Sequence, residues 1–300
     1  MGQQAYWSAD SAFEAERERL SILEHLFDDI TQDSLTQLVV REGWWCCEIG
    51  AGGGSITRWL SQLVGPKGRV VAVDLDTRFL TDIDQANVEV IKADFLSNAP
   101  IGDSFDLVCS RAVLGHLSDP ERAVRRMVQL VKPNGWVFTI DADLCILSAA
   151  DPGHRDASRF DEVCRKAAAY ICEHYSINYR MGRSLSKLFE EAGLVDVDNS
   201  AWTGVSRGGS PRAELWRRNW QVSGQKMMAD GALSREEYEL YLAAMTDPTF
   251  RFLDALYFRN LWQKTFHVSL PNCRRYHRVV MPSKDGDRVG ILRAARRRRP

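Results

Sequence analysis

The chain reads as an α/β protein: a mostly parallel, seven-stranded sheet with helices on both faces, an N-terminal helical arm and helical cap insertions. Three observations predict this. Short apolar, valine-rich runs alternate with helical stretches between residues 44 and 140. A run of glycines at 50–54 joins the first such run to the first helix behind it. Two later segments, 195–205 and about 251–266, alternate as strands do and bring the total to seven.

Residues 10–40 form the arm. A polar stretch (Glu14, Glu16, Arg17, Glu18, Arg19) precedes Leu20, Ile22, Leu23, Leu26 and Phe27 at helical spacing. Thr31-Gln32-Asp33 interrupts before Leu35, Leu38 and Val39 resume, which predicts two helices. Tyr6 and Trp7 stand ahead of them, as a lid over a ligand or as packing. Residues 44–49 end in glycines, as a buried parallel strand would. A helix over 55–64 follows, then the turn Gly65-Pro66-Lys67-Gly68. Strands are expected at 69–74, 88–91 and 105–109. Asp119 caps a helix that has Pro120 at its first position. Pro133-Asn134-Gly135 then turns the chain into a strand over 136–140.

Beyond 142 the alternation stops. Residues 155–175, 184–192 and 211–244 look helical, and the last carries Trp216, Trp220, Met227 and Met228. The expected organisation is one domain over 1–267, with a core at 41–142 and cap segments at about 145–193 and 211–245. Residues 268–300 form a basic C-terminal tail.

Of the 300 residues, 45% are apolar and 26% charged, which fits a globular protein with an ordinary core. The apolar stretches fall well short of the roughly 20 residues that span a bilayer, so no membrane is expected. The first residues lack the basic start and apolar core of a secretory signal. The seven cysteines form no C-x-x-C pair, no metal-ligand spacing occurs, and a cytoplasmic, reducing setting is expected. From Val268 onward ten Lys/Arg face two Asp/Glu, a balance of +8; the total of −1 therefore leaves −9 on the rest. The tail ends in four arginines that could touch nucleic acid or fray in solvent, but no aromatics interleave to stack on bases.

The segment Glu48-Ile49-Gly50-Ala51-Gly52-Gly53-Gly54-Ser55 follows a strand and opens a helix. Glycines allow a tight turn and a close approach of ligand to backbone, and the helix start offers free N–H groups. A dinucleotide loop, G-x-G-x-x-G, would need glycine at 55, where Ser55 stands. Asp74 ends the second strand, where an acid accepts hydrogen bonds from ribose hydroxyls. Asp76 competes for that role or caps the turn behind it. After the third strand, Asp94 can accept from an exocyclic amine, and Phe95 can cover a flat base with its ring or backbone. A loop Asp beside a core Phe is the competing reading.

In this order CCEIGAGGG, VVAVDLD, VIKADF, FDLVCSRAVLGHL and AVRRMVQLVKPNGWVF resemble the class I S-adenosylmethionine-dependent methyltransferases over residues 44–140. The likeness is nearest to bacterial small-molecule enzymes of secondary metabolism and to ubiquinone/menaquinone methyltransferases. It implies a Rossmann-like fold, S-adenosylmethionine as cofactor and S-adenosylhomocysteine as product. It implies that Glu48 organises the cofactor's methionine amine, directly or through water. Gly50, Ala51 and Gly52 would pack under methionine and ribose, and Leu75 against adenine. Ser110 and Arg111 would lie at the methionine end, with Arg111 either binding a carboxylate or forming a structural ion pair.

A methyl on a cationic sulfur is already activated, so the protein mainly aligns the nucleophile. His116 is the candidate base or an ordering histidine; Asp141 and Asp143 could orient a polar substrate or cap turns. The aromatic cap implies an apolar or aromatic acceptor. The rivals are a nucleic-acid methyltransferase using the tail, a nicotinamide oxidoreductase, and a non-catalytic binding protein. The −9 on the body opposes the first and Ser55 the second. The long arm could also exchange between subunits of a homo-oligomer.

Overall fold

A computed structural model describes residues 13–38, 40–102, 104–174 and 178–265. Met1–Phe266 forms one compact unit, and the second unit, His267–Pro300, lies outside the described residues, as do Tyr6 and Trp7.

The arm is one helix, α1 (Phe13–Gln37), not two. The Thr31 hydroxyl, at the expected interruption, donates to the Phe27 carbonyl at 2.7 Å, and the Ser34 hydroxyl just after it donates to Ile30 at 2.5 Å, so the helix runs through. β1 (Trp45–Ile49), α2 (Ser55–Val64) and β2 (Arg69–Asp74) follow. β3 (Val88–Lys92) and β4 (Phe105–Arg111) come next. α3 (Pro120–Leu130) starts at Asp119, whose carboxylate accepts from the Arg122 N–H at 2.8 Å. It feeds β5 (Val131–Asp143), which bends at Asn134, φ +64°.

The remaining elements are β6 (Ser148–Ala149), α4 (Ala157–His174), α5 (Met181–Glu191), β7 (Val195–Trp202) and β8 (Val205–Arg207). They continue as α6 (Pro211–Ala229), α7 (Arg235–Thr246), β9 (Arg251–Leu253) and β10 (Leu256–Gln263). The helical stretch expected over 211–244 thus breaks in two. Gly231 takes a positive φ, and Ser234 with Glu237 forms a reciprocal capping box that starts α7.

The main sheet has seven strands in the order β3-β2-β1-β4-β5-β10-β7. β10 runs antiparallel to both its neighbours, and the other pairings are parallel. Cys47, Ile49, Val108 and Val137 pack one face against α3 and α5; Cys46, Cys109, Phe138 and Ile140 pack the other against α1 and α2. α5 was expected in the cap, but Met181, Leu185 and Phe189 are fully buried in the core on the sheet. The cap is α4, α6 and α7 around Phe160, Tyr170, Trp220, Tyr241 and Phe250. A small sheet, β6-β9-β8, adjoins it. α1 packs on α2 and α6 of its own chain. No described helix is long and apolar enough to cross a membrane.

Candidate functional site

The strand order reverses between β1 and β4, so the loops leaving their carboxyl ends part and open a crevice. The glycine loop leaves β1 there, and Arg111 ends β4 beside it. Gly50 has φ +71°, and a Cβ on it would stand 2.3 Å from Val113 Cγ2, so conformation and space both demand glycine.

The Gly52 N–H donates to Asp74 Oδ2 at 2.8 Å, and the Asp76 N–H donates to Oδ1 at 2.8 Å. Asp74 thus ties the loop to the end of β2. A carboxylate has about four acceptor positions, and the Leu75 N–H also bonds to this one, so one remains for a ribose hydroxyl. Asp76 caps the following 3₁₀ turn at Thr77–Phe79 and pairs with Arg78, the second of the two roles open to it. Leu75 is 49% exposed, a leucine left on the surface next to Asp74. Asp94 is exposed and its Oδ1 accepts from the Leu96 N–H at 2.8 Å, leaving Oδ2 for an amine.

The Phe95 ring does not serve as a cover. It is 5% exposed within the core and stacked under Arg126, whose guanidinium carbon lies 5.1 Å from the ring centroid. Ser110 is equally interior. In register with Ile49 and Thr139, it is 2% exposed, and its Oγ has no partner.

Glu48 is 4% exposed and accepts from Thr57 Oγ1 at 2.5 Å, so one oxygen is directed at α2. Burial pushes its carboxyl up to about 7, against the pull of the Thr57 hydrogen bond. Arg111 takes the ion-pair alternative. Its Nη1 meets Asp28 Oδ1 on α1 at 2.6 Å, and Ser55 Oγ donates to the same oxygen at 2.9 Å. Glu24, one turn earlier on α1, stands against Gly53. α1 therefore lies across the glycine loop and delivers two acids to it.

Sequence reasoning missed Glu24 and Asp28. Their only signal is the i, i+4 spacing of Glu24 and Asp28, which puts the two acids on one face of the helix.

His116 sits in the 3₁₀ turn after β4, and burial, then Arg19, depress its pKa to about 4. It is neutral at pH 7 and a weak base. Asp141 and Asp143, considered as substrate ligands, turn inward. Asp141 accepts from the Leu114 and Gly115 N–H groups at 3.1 and 3.3 Å, which holds the His116 turn, and burial pushes it up to about 6. Asp143 is fully buried, caps Leu144–Ile146 through the Cys145 N–H and pairs with Arg183. Strand-end acids here hold backbone, the alternative that spacing alone could not separate.

Beyond the end of β5, a cavity of about 780 Å³ opens between the Leu144–Ile146 turn, α4 and α6. Trp216, Asn219, Trp220 and Ser223 line it from α6 at positions i, i+3, i+4 and i+7. Ala168 and Cys172 of α4 face them. The small side chains on α4 create the space, and the α6 tryptophans make its wall flat and apolar.

Residues 47–139 match the model of the methyltransferase domain family. A demethylmenaquinone methyltransferase of Staphylococcus aureus is 26% identical over 177 residues, covering 55% of this chain and 73% of that protein. A crystal structure from Bacillus halodurans, described as a methyltransferase, superposes with a TM-score of 0.51 at 18% identity, over 78% of this chain and 98% of that one. A chain from the Haloferax volcanii complex of the Trm112 methyltransferase activator with a methyltransferase gives 0.52 at 16% identity, over 89% and 100%. These two structural likenesses concern the fold. The domain match lies across the glycine loop, Asp74 and Asp94, so residues 47–139 carry a methyltransferase domain.

Proposed function

We propose that the enzyme transfers a methyl group to an apolar, ring-bearing small molecule held by the cap. The cavity beyond β5 carries this reading. Its size lies in the range of small-molecule sites, roughly 300–1,000 Å³, and its walls pair aromatic faces with a few polar atoms. The name of the Staphylococcus aureus relative, whose acceptor is demethylmenaquinone, agrees with an acceptor of this class.

The crevice fits the cofactor on two observations: the spare acceptor position of Asp74 and the exposed face of Leu75. Bound there, S-adenosylmethionine supplies a methyl group on a cationic sulfur. Asp74 would hold a ribose hydroxyl, Leu75 would cover the adenine, Asp94 would receive the adenine amine, and the backbone of Ala51 and Gly52 would support the ribose and methionine. Glu48, fixed on Thr57, keeps β1 and α2 in register beneath them.

Rate comes mainly from alignment, which can lower a barrier by roughly 7–11 kcal/mol. α1 over the loop and the cap beyond β5 together exclude water from that edge. His116, its pKa depressed to about 4 by burial, would take a proton only from a group already made acidic. The catalytic domain ends near residue 267, the basic tail is not needed for methyl transfer, and the enzyme works in the cytoplasm.

Tritiated S-adenosylmethionine incubated with a panel of phenols, quinols and short polar amines tests the acceptor class. Label should move to the ring compounds. Transfer to the amines alone, or to RNA alone, would contradict the proposal.

A further inference from the structure

Glu24 of α1 reaches the glycine loop so closely that a Cβ on Gly53 would lie 2.2 Å from its Oε1. That oxygen is buried and has no hydrogen-bond partner among the described residues. Besides Arg17, whose influence on Glu24 is the weakest, two cations stand nearby and both are engaged. Arg111 is paired with Asp28 at 2.6 Å, and Arg58 Nη2 with Asp82 at 2.5 Å. Glu24, Asp28 and Arg111 thus set two carboxylates against one guanidinium. A buried acceptor oxygen without a donor is unfavourable and is not left so in a working site. Burial and the Asp28 charge raise the Glu24 pKa, while Arg111 and the Ser55 backbone N–H lower it. A cation arriving at Oε1 would settle the group as a carboxylate. Glu48, the acid that the family resemblance assigned to the methionine amine, has Oε2 engaged by Thr57.

We infer that the Glu24 carboxylate receives the α-ammonium of the cofactor's methionine part. The ammonium brings a positive charge directly to Oε1, with three donors on a compact head. The family resemblance puts the methionine end at Ser110 and Arg111, at the end of β4, where Asp28 of α1 meets Arg111. The second acid, Asp28, keeps Arg111 from competing for Glu24. The assignment rests on the cofactor reading and is independent of the acceptor.

Titration calorimetry on the full chain tests it with two ligands: S-adenosylhomocysteine and its deamino analogue, which carries 4-thiobutyrate in place of homocysteine. The wild type should prefer S-adenosylhomocysteine by about tenfold or more, as a charge-assisted hydrogen bond allows. Glu24→Gln should lose that preference while binding the analogue as the wild type does. Should that variant fold poorly, Glu24→Asp serves, withdrawing the charge by one methylene and shrinking the preference. A variant that keeps the wild-type preference overturns the assignment. So does equal weakening of both ligands, because Glu24 would then only shape the loop. A wild-type chain that binds neither ligand removes the cofactor reading itself, a distinct outcome.

Discussion

Arg111 Nη1 lies 2.6 Å from Asp28 Oδ1, so the carboxyl end of β4 is ionically tied to the middle of α1. The two side chains are 11% and 22% exposed. The pair is enclosed enough for its loss to matter and holds α1 over the glycine loop. Asp28→Asn should lower unfolding stability by about 2 kcal/mol, chiefly by leaving a shielded guanidinium unmatched. It should also weaken S-adenosylhomocysteine binding. Urea unfolding and calorimetry read the two effects, and an unchanged midpoint would show the pair to be incidental.

Gly50 meets two constraints at once. Gly50→Ala places a side chain at φ +71° and 2.3 Å from Val113 Cγ2. A loss of at least about 2 kcal/mol is expected, together with loss of cofactor binding. Adding Val113→Ala should relieve the clash and leave the conformational part, so the double variant recovers only some of the melting temperature. Full recovery would mean that φ is unconstrained.

Glu48 has a clear pH signature. Its ordinary value of 4.5 is raised to about 7 in the fold. The folded chain then binds the proton more tightly than the unfolded one, so this contribution is fully present below 4.5 and is lost as pH rises through about 7. Asp141, raised to about 6, acts in the same direction. Glu48→Gln preserves an acceptor for Thr57 and removes the charge. It should melt higher than the wild type at pH 8, the gap closing toward pH 5. A gap that grows toward acid would reverse the assigned direction.

The cavity separates acceptor from cofactor. Ala168→Trp fills it from α4 and should raise the acceptor KM strongly while the Kd for S-adenosylhomocysteine is unchanged. Steady-state kinetics with calorimetry decide; an unaltered KM would place the acceptor elsewhere.

Removing residues 268–300 discards the +8 of the tail. Methyl transfer to the small acceptor should persist at the full-length rate. A large loss confined to RNA substrates would favour the nucleic-acid rival.

The sheet was legible because its signals are local. Apolar runs stopped by Gly50 and Gly65 placed β1, α2 and β2, and Asp119 with Pro120 marked the start of α3. Elements set by tertiary contact were not. Thr31-Gln32-Asp33 read as a break, yet Thr31 bonds back within α1. α5 was grouped with the cap because its apolar face does not declare whether a sheet or a helix covers it. In the site, Asp74 stood out because it ends a strand behind a glycine loop. The same strand-end logic raised Asp141 and Asp143, which turned out to hold backbone N–H groups. Phe95 was a plausible cover until packing under Arg126 fixed its ring direction. Glu24 reaches the loop from about thirty residues upstream, a distance no local pattern spans.

The most direct measurement is a calorimetric titration of the wild-type chain and Asp74→Asn with S-adenosylhomocysteine and with NAD. The wild type should bind one S-adenosylhomocysteine per chain and no NAD, and Asp74→Asn should bind it at least about tenfold more weakly, the ribose having lost its charged acceptor. Binding of NAD in preference, or S-adenosylhomocysteine binding that ignores the Asp74 substitution, would contradict a cofactor site at the glycine loop.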